Sequence, residues 1–242
     1  MESWPSLVYA IGDVHGCHDL LRDLEARIVA DARDRAGEKL IVMLGDYVDR
    51  GDRSAQVLDR LLADPPKSFN RICLAGNHEQ MMLDFLEAPA RSHAWLDNGG
   101  RLTLSSYGLE PGHLGAGRQL RVMLDAHIPE NHRSFISGLP ACLTLPGAVF
   151  VHAGLRPNLA LEDQRDEDML WIRREADTGE MRAFTIVHGH TPAPEPQITS
   201  NRIGLDTGAY GSGVLTAARF EQGRFAGFLQ ATSARPTPSG RS

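Results

Sequence analysis

Five times along this chain a short apolar run ends in, or just before, a glycine-bearing loop that presents Asp, Asn or His. Leu7–Ile11 leads into Gly12-Asp13-Val14-His15-Gly16, and Leu40–Leu44 into Gly45-Asp46-Tyr47-Val48-Asp49-Arg50-Gly51. Arg71–Ala75 leads into Gly76-Asn77-His78-Glu79, Gly147–Val151 into His152-Ala153-Gly154, and Phe184–Val187 into His188-Gly189-His190-Thr191. Such runs are too short for helices and read as buried strands. Between the first three lie helical patterns. Residues 17–30 carry Leu20, Leu21, Leu24, Ile28 and Val29 on one face, 54–63 start at Ser54 as a predicted N-cap, and Glu79 opens a third helix. This βαβαβα order predicts an α/β fold with parallel strands and right-handed crossovers. Ligands of α/β sheets bind outside the carboxyl ends of the strands, so the five loops are expected to converge.

The remaining pattern is less regular. Residues 88–140 mix Gly, Pro, His and Arg, with Arg118–His127 the best helix, and read as a helical elaboration over one edge. The segments 202–205, 214–220 and 225–229 are strand-like and spaced by turns, which predicts an antiparallel or mixed second sheet. One domain is expected over 1–231, and the small, polar, Pro-rich 232–242 is expected to be disordered.

Composition narrows the function. At 242 residues, with 42% hydrophobic and 23% charged, the chain is long enough for a sizeable core and is not fibrous or disordered. Its 25 basic and 31 acidic residues, net −6, argue against a nucleic-acid partner. Three cysteines suit a reducing cytoplasm rather than a disulfide framework. No apolar stretch is long enough to cross a membrane, and the N-terminus lacks a signal-peptide pattern.

Carboxylate, amide oxygen and imidazole without thiolate suit Mn²⁺, Fe or Zn²⁺. Asp13 and His15, two apart, can turn toward one ion. The candidate ligands outnumber the needs of one ion, and a shared carboxylate could bridge two at roughly 3.5–4 Å. Any one of these loops alone is ordinarily a turn; their joint order carries the inference.

The motifs GDxHG, GDxVDRG, GNHE, HxG and GHT stand at Gly12–Gly16, Gly45–Gly51, Gly76–Glu79, His152–Gly154 and Gly189–Thr191. Through them the chain resembles the phosphoprotein phosphatase family of calcineurin-like metallophosphoesterases. GNHEQMM (76–82), Trp95–Gly100, Trp171-x-Arg173 and Asp206-Thr-Gly-Ala209 look most like its small bacterial and bacteriophage-lambda-type members. The resemblance implies a four-layer α/β/β/α sandwich with mixed sheets and a small helical cap. It implies two divalent ions, Mn²⁺ foremost with Fe or Zn²⁺ as alternatives. One would be held by Asp13, His15 and the bridging Asp46, the other by Asp46, Asn77, His152 and His190. A hydroxide shared between the ions would attack phosphorus directly. His78, held by Asp49, would protonate the leaving alkoxide. Arg50 and Arg173 would grip phosphate oxygens, with Asn77 and His78 also facing the substrate.

The substrate expected from this likeness is phosphoserine or phosphothreonine, and phosphotyrosine as a further choice, in a protein or small phosphoester. The alternative is a symmetrical dinucleoside tetraphosphate; such relatives commonly carry GNHD, so Glu79 favours the phosphoprotein. A catalytically dead binding module is disfavoured because every expected ligand is present. One departure is Ala75, where many relatives have Arg. No regulatory-subunit docking segment is evident. Asp206 is expected to orient a ligand histidine or to close a turn, and Trp95 to shape the cap. Met81 and Met82 read as core, His188 as a strand-end residue, and His18, His93, His113, His127 and His132 as surface residues.

Overall fold

The computed structural model describes residues 1–89, 93–110, 116–173 and 183–233. Strands β1 (Leu7–Ile11), β2 (Lys39–Met43) and β3 (Phe69–Cys73) run parallel and adjacent. They alternate with helices α1 (His18–Asp31), α2 (Ser54–Leu62) and α3 (Asn77–Glu87). A helical stretch follows: α4 (His93–Trp95), a π-type turn Leu96–Gly100, α5 (Arg101–Ser106), α6 (Gly117–His127) and α7 (Glu130–Ser137). Then come β4 (Cys142–Leu145), β5 (Ala148–Val151), α8 (Asp166–Trp171), β6 (Thr185–His188), β7 (Gln197–Ile198) and β8 (Arg202–Gly204). The chain closes with α9 (Ala209–Ser212), β9 (Val214–Glu221) and β10 (Arg224–Thr232).

Two mixed five-stranded sheets result, ordered β10-β9-β1-β2-β3 and β4-β5-β6-β8-β7. The side-chain period of two explains how they stack. In β1, Leu7, Tyr9 and Ile11 join the core beneath α1–α3, whereas Val8 and Ala10 face Ala148, Phe150, Val187 and Ile203 of the other sheet. In β5, Ala148 and Phe150 enter that central core, and Val149 and Val151 pack outward with Leu155, Met169 and Ile186. Three cores thus separate four layers, the expected α/β/β/α sandwich. The fourth layer is thin: α8 is the helix that contributes to it among the described residues.

Several expectations need correction. The segments at 214 and 225 do not build the second sheet. β9 pairs antiparallel with β1, and β10 with β9, so both extend the first sheet. The reason is non-local: β1 has β2 on one side, and β9 supplies Leu215 and Ala217 to one core and Ala218 and Phe220 to the other. β8 joins the second sheet, parallel to β6. Two edge strands, β4 and β7, escaped the pattern because they are short and half-exposed or exposed. Ser54 is not the cap: Arg53 stands at that position, and Ser54 is buried within the first turn. His132 is buried as well, bonding Tyr107 at 2.7 Å and Asp59 at 3.0 Å. Thr232 belongs to β10, while 234–242 and His113 lie outside the described residues. Among the described residues no helix is long and apolar enough to cross a membrane.

Candidate active site

Asp46, in the loop after β2, occupies the middle of the cluster. Its Oδ2 lies 3.4 Å from His15 Nε2 and 3.9 Å from His78 Nε2. Its Oδ1 lies 3.3 Å from His152 Nε2 and accepts the backbone N–H of His78 at 3.1 Å. Asn77 Oδ1 is 2.9 Å from both His152 Nε2 and His190 Nδ1, which are 3.2 Å apart. Two compact groups therefore share one carboxylate: His15–Asp46–His78 and Asp46–His152–His190. Asp13 stands just outside both, its two oxygens accepting the backbone N–H of His190 at 3.1 and 3.0 Å. All these side chains are buried.

The residues fit a pair of divalent cations. His15 donates Nδ1–H to the Val48 carbonyl at 2.9 Å, which leaves Nε2 buried and unpartnered. His152 donates Nδ1–H to the Leu44 carbonyl at 2.8 Å, turning Nε2 inward. An imidazole fixed this way presents a lone pair to the cluster. Burial, with the charges of His78 and Arg50 adding and Asp46 opposing, pushes His15 down to about 3. Burial and the neighbouring His152 bring His190 to about 3. Both rings are thus neutral, the form in which an imidazole can ligate a cation. Burial drives Asp13 well above the usual carboxylate range, and the charges of Asp206 and Asp46 drive it further. Burial alone would raise Asp46 too, but His152, His78 and His15 outweigh it and hold it low. Crowded carboxylates with no buried lysine or arginine among them call for cations, and oxygen plus imidazole donors suit borderline divalent ones.

The backbone is strained where these groups emerge. His15, Asp46, Asp49, Arg50 and His190 have φ of 44°, 52°, 73°, 65° and 65°, five of the eight non-glycine residues in this region among those described. Such conformations cost about 1–3 kcal/mol each and persist only when surroundings impose them. Glu79 supplies much of the imposition. Its Oε2 accepts the N–H groups of Gly76 and Asp46 at 3.0 and 2.8 Å, and Oε1 those of Tyr47 and Val48 at 2.7 and 3.2 Å. Burial and Asp46 push Glu79 up to about 8, against the pull of these donors. Nor is there room for side chains: a Cβ at Gly189 would overlap the Asp13 carboxylate.

A second constellation adjoins the first. His78 Nδ1 is 2.6 Å from Asp49 Oδ2, which also accepts Trp95 Nε1–H at 2.8 Å. Thr103 Oγ1 donates to Asp49 Oδ1 at 2.6 Å and accepts the Asp49 N–H at 2.8 Å, with Ser54 Oγ accepting the same N–H at 3.1 Å. Burial would lower His78, but Asp46 and Asp49 outweigh it and raise it. Arg50 Nη2 lies 3.0 Å from His78 Nε2, and its guanidinium sits 5.0 Å over the Tyr210 ring. Arg173 Nε donates to His190 Nε2 at 3.1 Å from the rim.

All the residues singled out by sequence therefore lie in or beside one site, Asp13 and Arg173 at its margins. Asp206 closes a turn by accepting Gly208 N–H at 2.8 Å, and its charge faces Asp13. His188 lies outside the cluster, with its Nδ1 against the Gly189 carbonyl and Arg202 Nε against its Nε2. Thr103 and Tyr210 were missed; neither belongs to a motif that the sequence reading used. Glu79 serves as a brace for the Asp46 loop, so its identity says nothing direct about substrate.

The chain matches the family described as calcineurin-like phosphoesterase over residues 6–212. It is 26% identical over 239 residues to the asymmetrical bis(5′-nucleosyl)-tetraphosphatase PrpE of Halalkalibacterium halodurans, covering 89% of this chain and 90% of that protein. It is 29% identical over 228 residues to serine/threonine-protein phosphatase 1 of Salmonella typhimurium, covering 88% and 92%. A crystal structure provisionally described as a diadenosine tetraphosphatase superposes with a TM-score of 0.65 at 21% identity, covering 96% of each chain.

Proposed function

This chain belongs to the calcineurin-like phosphoesterase family and is a metal-dependent phosphoester hydrolase, and on that premise we propose that its substrate is a dinucleoside tetraphosphate. The observation that carries this reading is the way Glu79 is used. Glu79 was one support for a phosphoprotein beside the likeness to the small bacterial and lambda-type members, and all four of its bonds go to backbone N–H groups of the loops at Gly76 and Asp46–Val48. With that support weakened, the end-to-end likeness to a tetraphosphatase of similar length favours this reading. That relative cleaves asymmetrically, so the products proposed are a nucleoside triphosphate and a monophosphate. The symmetrical cleavage that stood as the alternative from sequence is set aside.

In this reading Asp13, His15, Asp46, Asn77, His152 and His190 hold two divalent ions, Mn²⁺ foremost. When bound, such ions polarise phosphoryl oxygens and bring water toward neutral pKa. The chain's own residues do the rest. Arg50 and Arg173 neutralise phosphate oxygens on opposite sides of the cluster. Water oxygen joins one phosphorus and the anhydride P–O bond breaks. His78 Nε2 carries the proton for the leaving oxygen, with Asp49 on Nδ1 holding the ring in position. An anhydride leaves as a stabilised phosphate and needs that proton less than an alkoxide does.

The His78–Asp49 pair is the observation that favours a second reading, a phosphoserine or phosphothreonine phosphatase, because an alkoxide leaving group benefits most from it. Comparing kcat/KM on diadenosine tetraphosphate and a phosphothreonine peptide, with products resolved by chromatography, tests both. The dinucleotide should win by orders of magnitude and release ATP with AMP. A winning phosphopeptide would reverse the assignment.

A further inference from the structure

Beside the metal-ligating cluster a cavity of about 300 Å³ opens against Arg50. Cys17, Leu20, Leu102, Ala209 and Tyr210 line it together with Arg50. Leu102 is 42% exposed, one of few large apolar side chains left open, and it faces no core. The Tyr210 ring is half-buried and fixed from two directions. His15 meets it edge to face at 5.4 Å, and the Arg50 guanidinium lies over it at 5.0 Å. One end of the cavity is therefore the cation that the phosphate-binding reading gives to substrate, and its wall sets these apolar side chains and the Tyr210 ring beside the polar His18, Asp19, Asp52 and Arg53.

That combination has a narrow chemical meaning. A group that reaches this cavity must be joined to a phosphate that Arg50 grips. At about 300 Å³ the space is at the lower end of the range for small-molecule sites. Aromatic rings and arginine planes stack nucleobases without regard to sequence. We infer that the cavity beside Arg50 and Tyr210 is a nucleoside subsite, which takes the base and sugar attached to the phosphate nearest Arg50. This rests on the dinucleoside tetraphosphate reading for its substrate, though the cavity itself can be tested with a mononucleotide.

The test compares inhibition of p-nitrophenyl phosphate hydrolysis by AMP and by methyl phosphate, which shares the phosphate monoester and lacks a base. The Mn²⁺-loaded enzyme and the variants Leu102→Asp, Tyr210→Ala and Tyr210→Phe are used. The wild type should bind AMP roughly tenfold or more tighter than methyl phosphate, in the range of one stacking contact. Tyr210→Phe should keep that advantage, whereas Tyr210→Ala and Leu102→Asp should lose it. Leu102→Asp is an exposed change, so a folding failure of Tyr210→Ala does not remove the test. Equal inhibition by the two compounds in the wild type, or an advantage that survives both disruptive variants, would overturn the subsite even if diadenosine tetraphosphate is cleaved well. An AMP advantage that the variants abolish, in an enzyme that prefers phosphopeptide, would support the subsite and overturn the substrate reading instead.

Discussion

The half of the site built on the first sheet and the half built on the second are braced very differently. Asp46 and Asp49 stand on a loop, and Asn77 and His78 at the start of α3, braced by Glu79, Thr103, Ser54 and Trp95 over the large core beneath α1–α3. Behind His152 and His190 the outer core is smaller among the described residues: five buried residues, Met169 among them, with Ala141, Cys142, Leu161 and Phe184 packed against them. The orientation of these two histidines is largely borrowed. His152 is turned by the Leu44 carbonyl, and His190 is held by Asp13 and Asn77 from the first-sheet half, with Arg173 the contact from its own side. The difference teaches that one half defines geometry and the other completes it by docking. The central core of Val8, Ala10, Phe150, Val187 and Phe220 is what keeps the two in register.

The sharpest way to break this division is at the shared carboxylate. Asp46→Asn should leave the desalted protein without its two ions and lower kcat/KM by about 10³-fold or more. Retention of two ions by elemental analysis would show that Asp46 does not bridge. Next in size is His78→Asn, which should cost about 10²–10⁴-fold on a phosphothreonine peptide and under about tenfold on p-nitrophenyl phosphate. Equal losses would remove the proton-carrying role. Trp95→Phe keeps the ring against Phe85 but deletes the bond to Asp49. It should lower kcat by about tenfold on alkyl phosphates, with aryl phosphates nearly spared, since the effect passes through His78. A uniform loss would mean that Trp95 acts only by packing.

The smallest effect belongs to the second half. Burial, with Arg202 adding, holds His188 down at about 4, whereas the unfolded chain protonates it near the usual value of about 6.5. The unfolded state therefore takes up the proton first, and stability falls as pH drops from about 6.5 to about 4, then levels. His188→Gln should flatten urea-unfolding free energy across that window by the slope of one proton. An unchanged slope would place the acid sensitivity elsewhere.

This asymmetry also explains what could be read in advance. The ligand-bearing loops were legible because each follows its own strand within a few residues, so local pattern sufficed. The braces were not. Trp95 and Thr103 reach Asp49 across 46 and 54 residues, and His132 finds Tyr107 and Asp59 across 25 and 73. β9 and β10 were placed in the wrong sheet for the same reason, since β9 pairs with β1 at the other end of the chain and carries β10 with it. Positive φ at Asp46, Asp49 and Arg50 leaves no mark either, because these residues are not glycine.

The split between sheets has a consequence in time. Asn77 and His190, which meet at 2.9 Å, are 113 residues apart in the chain. At a synthesis rate of roughly 5–20 residues per second, a ribosome needs about 6–20 s to travel between them. For the first 75 residues of that interval the emerging polypeptide carries Asp13, His15, Asp46 and Asn77 without either late histidine, and for the remaining 38 it still lacks His190. A fragment with half a ligand set holds ions loosely and exchanges them freely. Choice among the cell's metals is thus deferred until His190 has emerged, and whichever ion is abundant where folding finishes has the advantage.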